Sequence, residues 1–152
     1  MSNKLESLLR KAGKELAEWQ VCRFYKIPEE FVMTPCDFFG FTPQGRAIMI
    51  EAKMVERASL PLGTAPGLLP HQWTALREAS RANCLALIAW QRGSSIAVFD
   101  VDMAIALSEH RKSVPWNLIT KPFIHSANDS GAARTILEPY LCISRASSSS
   151  SS

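Results

Sequence analysis

Asp37, Glu51 and Lys53 are the residues whose types and spacing could do chemistry. Glu51 and Lys53 stand in "IMIEAKM", residues 48–54, an acid and a base in an otherwise apolar run. Alternate side chains of a strand share a face, so Glu51 and Lys53 project together, roughly 7 Å apart along the strand, while Ile48, Ile50, Ala52 and Met54 face the other way. Taken alone, the segment reads as an edge strand with a solvated ion pair of small energetic consequence. Asp37 changes that reading. It opens "CDFFGF", 14 positions before Glu51, and antiparallel pairing folds it back within reach of Glu51. Two carboxylates and an ammonium around one point suit Mg²⁺, which takes oxygen ligands, keeps several waters and completes its shell with phosphate oxygens. The chemistry implied is phosphodiester hydrolysis by metal-activated water, with Lys53 orienting the water or neutralising developing charge. Such a reaction slows in acid, as carboxylates lose the metal, and quickens as pH rises. Asp37 alone would be an ordinary turn-capping carboxylate.

Those side chains need a hairpin and helices to position them. "CDFFGF" and "GRAIMIEAKMV" are strands joined by "TPQG", where Pro43 and Gly45 suit a tight turn. Upstream, Leu5, Leu8, Leu9, Ala12, Leu16 and Trp19 recur at helical spacing and predict an amphipathic helix over 3–19, followed by a strand in "VCRFYKIP" that Pro28 ends. Residues 57–70, "RASLPLGTAPGLLP", are rich in Pro and Gly and read as a functional loop. Pro70 opens a helix through "HQWTALREASRAN"; "CLALIAW" is a buried strand, "QRGS" a turn, "SIAVF" a strand and "DMAIALSEH" a short helix. Over 112–146 the periodicity is weak, with possible elements at "LITKPF", "AARTILEPY" and "YLCIS". The order implies an α/β domain over 1–146 with a central mixed β-sheet flanked by helices, because the crossover through the second long helix requires a parallel pair. The low-complexity "ASSSSSS" at 146–152 puts a disordered Ser-rich tail over 147–152.

Asp37 followed by "IEAK" resembles the PD-(D/E)xK nuclease signature, with Cys36 between Pro35 and Asp37 where that signature often has Pro-Asp. The flanks "DFFG", "IEAK", "LPL" and "HQ", in that order, resemble the RecU-like Holliday-junction resolvases and their phage relatives, as do Leu5–Glu6 in the first helix and Lys26-x-Pro28 before the core. The similarity runs from about residue 4 to 100. It implies a restriction-endonuclease-like core. Asp37 and Glu51 would hold Mg²⁺, for which Mn²⁺ substitutes, Lys53 would be the catalytic lysine, and Gln72 would help hold the site. Glu6 would be a further metal-associated carboxylate, with Glu15 and Glu18 the other candidates on that helix. The resemblance further implies a homodimer that resolves four-way DNA junctions by paired symmetric nicks, with a segment after the core strands entering the junction; 55–70 is the comparable segment here. The same core also serves restriction, repair and phage DNA-degrading nucleases, and a non-catalytic DNA-binding module is the alternative from another class.

Around such a pocket Arg23, Lys26, Arg46 and Arg57 are the near-sequence candidates for DNA phosphate, and His71 with Gln72 at a helix N-terminus would favour the anionic backbone. Each cation could equally be a solvated surface charge. Trp73, Trp90, Phe38 and Phe39 lie in apolar runs and read as core rather than base-stacking platforms. The 152 residues suit a single core, and the net charge of +3 is mildly basic without a block of like charges. Cys22, Cys36, Cys84 and Cys142 lie too far apart for a zinc knuckle and read as reduced thiols. No apolar run reaches the roughly 20 residues of a membrane span. The N-terminal stretch lacks a signal-peptide core, so the cytoplasm of a bacterium or a phage-infected host is the expected location.

Overall fold

The structure is a computed structural model that describes residues 4–18, 22–27, 36–119, 123–124 and 137–141. Its elements follow from the apolar patterning. Helix α1 (Lys4–Glu18) buries the stripe Leu5, Leu8, Leu9, Ala12 and Leu16, and its lysines and Arg10 fill the outer face. Strand β1 (Arg23–Lys26) pairs antiparallel with β2 (Phe38–Phe41), and β2 pairs antiparallel with β3 (Ala47–Met54). The β2–β3 register sets Phe38 opposite Ile50 and Phe41 opposite Ala47. Their turn closes where the sequence places it: Gly45, at φ +83°, donates its N–H to the Thr42 carbonyl, and Arg46 N–H donates to Thr42 Oγ1. After β4 (Ser59–Pro61), helix α2 (Pro70–Arg81) crosses over to β5 (Leu85–Arg92), which runs parallel to β3. A turn at Gly93 leads to β6 (Ser95–Asp100) and then α3 (Val101–Ser108), whose N-cap Asp100 accepts from Asp102 N–H. Strands β7 (Ser113–Pro115) and β8 (Phe123–Ile124) complete the described strands.

The central sheet has the order β1-β2-β3-β5-β6-β8, mixed because β3 and β5 are parallel while the other neighbours are antiparallel. Its two faces build two cores. Ile48, Ile50, Ala52, Leu85, Leu87 and Ala89 pack with Phe38 and the α1 stripe. Met49, Ala86, Ile88 and Trp90 pack with Trp73, Leu76 and Ala79 of α2 and with Val101 and Ala104 of α3. This is the expected α/β architecture. Among the described residues no helix is long and apolar enough to cross a membrane.

Two expectations need correcting, and one alternative reading is excluded. β3 is an interior strand between β2 and β5, so a solvated edge pair is excluded: Glu51 is only 2% exposed. Residues 57–70 do not form an open loop, because β4 pairs with β7 in a second small sheet that buries Leu60 against Val114, and Leu62 bridges Leu68. The close approach of Gly67 to the Pro61 backbone, where a Cβ would collide, tightens that fold further. Three-residue strands bounded by prolines carry no readable period, which is why the sequence conceals them. Phe39 is exposed rather than core, together with Tyr25 and Phe41, since these alternate onto the part of the sheet outside the β3 and β5 surface where α2 packs. Trp73, Trp90 and Phe38 are buried as expected. Of the C-terminal expectations, Phe123–Ile124 is strand and 137–141 is helical. Residues 120–122 of "LITKPF", the start of "AARTILEPY", the end of "YLCIS", Cys142 and the Ser-rich tail lie outside the described residues.

Candidate active site

The hairpin delivers Asp37 to β3 as its spacing requires. Asp37 N–H donates to the Ile50 carbonyl at 3.1 Å, and the Asp37 carbonyl accepts from Ile27 N–H at 2.8 Å, which fixes the residue between the end of β1 and the middle of β3. Its side chain folds over the same strand, where Oδ2 accepts from Ala52 N–H at 2.8 Å. That backbone donor carries no side-chain signature and was invisible in the sequence. On β3, Lys53 Nζ lies 3.5 Å from Glu51 Oε1.

Glu51 is the electrostatic centre. Burial, then the neighbouring Asp37 carboxylate, pushes its pKa up to about 8, against the opposing pull of Lys53. Its second oxygen, Oε2, is buried and has no hydrogen-bond partner. A buried carboxylate oxygen without a partner, beside a second carboxylate, is the environment that a hard cation relieves, so the residues fit a divalent ion held by Asp37 and Glu51. Cys36 belongs to the packing behind them: its thiol donates to the Phe38 carbonyl, and burial, then the charges of Glu51 and Asp37, pushes its pKa up to about 12. It stays a protonated thiol, neither nucleophile nor ligand.

Lys26 is brought into this cluster. Its ammonium lies 3.5 Å from Asp37 Oδ1 and 3.8 Å from Glu6 Oε2. Glu6, buried in the first turn of α1, is therefore the helix-one glutamate that reaches the site, whereas Glu18 is exposed beside Arg10, Lys14 and Arg23 at the other end of that helix. The "K-x-P" spacing marked Lys26 but not its direction, inward to carboxylates rather than outward to phosphate.

The remaining candidates divide. Arg57, just beyond the Lys53 end of β3, is exposed and free to meet phosphate, whereas Arg23, also exposed, stands opposite Phe41, which pairs with Ala47 at the far end of the sheet from Lys53. Arg46 stands at the start of β3, the strand end away from Lys53, and its Nε donates to the Asn83 carbonyl at 3.1 Å, a role in joining the hairpin to the α2–β5 turn. His71 is half-buried in the first turn of α2. Gln72 Oε1 accepts from Leu69 N–H at 2.9 Å, half of a capping box whose other half is missing because Leu69 has no side-chain acceptor. Gln72 thus fixes the start of α2. Gln72→Ala is expected to cost about 1 kcal/mol of stability in denaturant titration.

No protein-family model and no curated protein sequence matches the chain. Among solved structures the chain is similar to Hjc, a Holliday junction resolvase from the archaeal hyperthermophile Archaeoglobus fulgidus. The TM-score is 0.51 at 17% sequence identity, over 86% of this chain and 98% of that one. At that identity the likeness is one of fold.

Proposed function

We propose that this protein is a divalent-metal-dependent DNA endonuclease that resolves four-way junctions by paired symmetric nicks, working as a homodimer in the cytoplasm of a bacterium or a phage-infected host. The observation that carries the reading is the convergence of Asp37, Glu51 and Lys53 at one end of the sheet, with a buried carboxylate oxygen left without a partner. The fold likeness to a junction resolvase supports the substrate class. Asp37 and Glu51 hold Mg²⁺, or Mn²⁺ in its place, which when bound polarises the scissile phosphate and promotes ionisation of the attacking water. Lys53, fixed against Glu51, supplies positive charge where the phosphate gains negative charge, in a pocket where burial strengthens that interaction. Arg57 contributes a sequence-independent phosphate contact. A four-way junction has near-symmetric arms, which suits two copies related by a two-fold axis.

The test is gel analysis of a labelled mobile four-way junction and a linear duplex of the same sequence, each with Mg²⁺, Ca²⁺ or EDTA. Paired nicks on strands of like polarity in Mg²⁺, with little cutting of duplex, are expected. Equal cutting of both substrates would leave a nuclease and remove the junction from the reading. Cutting in EDTA would remove the metal.

A further inference from the structure

Lys26 makes more contacts with fixed groups than a phosphate-seeking surface lysine needs. Besides Asp37 and Glu6, its ammonium lies 3.2 Å from the Ile27 carbonyl and 5.8 Å from the centre of the Phe38 ring, and its side chain is only 13% exposed. Asp37 is engaged on both oxygens, Oδ2 by Ala52 N–H and Oδ1 by Lys26, while Glu51 Oε2 is buried without a hydrogen-bond partner. Among the described residues no three His, Cys, Asp or Glu side chains converge as a ready metal cage. Glu6 is instead linked to Asp37 through Lys26.

Charge balance adds a second argument. With all five side chains ionised, Glu6, Asp37 and Glu51 contribute three negative charges, and Lys26 and Lys53 two positive ones. One divalent ion turns that net −1 into +1, whereas two would leave a partly buried +3, which low polarisability strongly disfavours; without the Lys26 charge two ions leave +2, and Glu6 and Asp37 Oδ1 lose the cation between them. We propose that Lys26 is a built-in cation holding the place between Glu6 and Asp37 that a second divalent ion would otherwise occupy, so that the site takes one ion, on Asp37 and Glu51, and Glu6 anchors Lys26 instead of ligating metal. The proposal rests on the metal-site reading and makes Lys26 a positioning residue.

The test is Mn²⁺ titration of the full-length, metal-stripped protein, following the free-ion signal by electron paramagnetic resonance. Wild type is expected to bind one Mn²⁺. Lys26→Met and Lys26→Gln, which remove the charge, are expected to bind two, and Lys26→Arg, which restores it, one. Two ions on the wild type, or a single ion on a folded neutral variant, overturns the inference while leaving the metal site intact. No ion on the wild type overturns the metal site and the inference together. The wild-type stoichiometry stands as a test even if the neutral variants do not fold.

Discussion

Asp37→Asn is expected to leave a folded protein that cuts a four-way junction roughly a thousandfold more slowly in saturating Mg²⁺. The substitution separates charge from shape. Asp37 Oδ2 accepts from Ala52 N–H, and the backbone of residue 37 is held by Ile27 and Ile50. An amide oxygen can keep the Ala52 bond, so the hairpin register should survive. The NH₂ then occupies the place of Oδ1, where it faces the Lys26 ammonium and offers a metal no lone pair. Removing the charge also relieves one of the two main causes that keep the Glu51 carboxyl protonated, so a loss of activity cannot come from a poorer Glu51. The measurements are single-turnover cleavage rates and the melting temperature of both proteins. A variant that cuts at the wild-type rate would mean that the nuclease centre lies elsewhere; one that fails to fold would show Asp37 to be a structural clamp first.

Most of what positions this centre was legible because it follows from short-range rules. The period of α1, the turn at Pro43 and Gly45, and Pro70 at the first position of α2 each declare an element, and the alternation along β3 declares which side chains travel together. What the sequence hid was non-local. Whether Glu51 is solvated or buried depends on β5 lying beside β3, a parallel pairing formed across the whole of α2. The direction of Lys26 depends on α1 bringing Glu6 over the end of β1, and "K-x-P" is the same string whether the ammonium points at DNA or at carboxylates. Gln72 was marked by its place in "HQ", yet its oxygen closes the start of α2, a local use that the same string permits. The β4–β7 pair was illegible for a different reason: each strand is three residues long, and the segments meet across more than fifty residues of chain.

The buried carboxylate has a stability cost with a definite sign. Glu51 has a folded pKa of about 8 against an ordinary value of 4.5, so between these limits the folded chain keeps a proton that the unfolded chain releases. The contribution is fully present below about pH 4.5 and is lost as pH rises through about 8, by an amount on the order of a few kcal/mol. In EDTA the wild-type melting temperature is therefore expected to fall between pH 5 and pH 9. Glu51→Gln should remove most of that fall: the amide keeps the size of the side chain, its oxygen can accept from Lys53, and its NH₂ can donate to Asp37, where the carboxylate oxygen had no partner. The variant should thus melt higher than wild type at pH 9, by a margin that shrinks towards pH 5, while cleavage is lost. Mg²⁺ should raise the melting temperature of the wild type at pH 8 and leave the variant where it was, because a ligand stabilises only the protein that binds it. If Glu51→Gln melts below wild type at pH 9 in EDTA, the carboxylate is a structural ion-pair partner and the stored cost does not exist. If it melts above, the residue is held against its own solvation for the sake of the cation it binds, the trade between stability and activity expected at a catalytic centre.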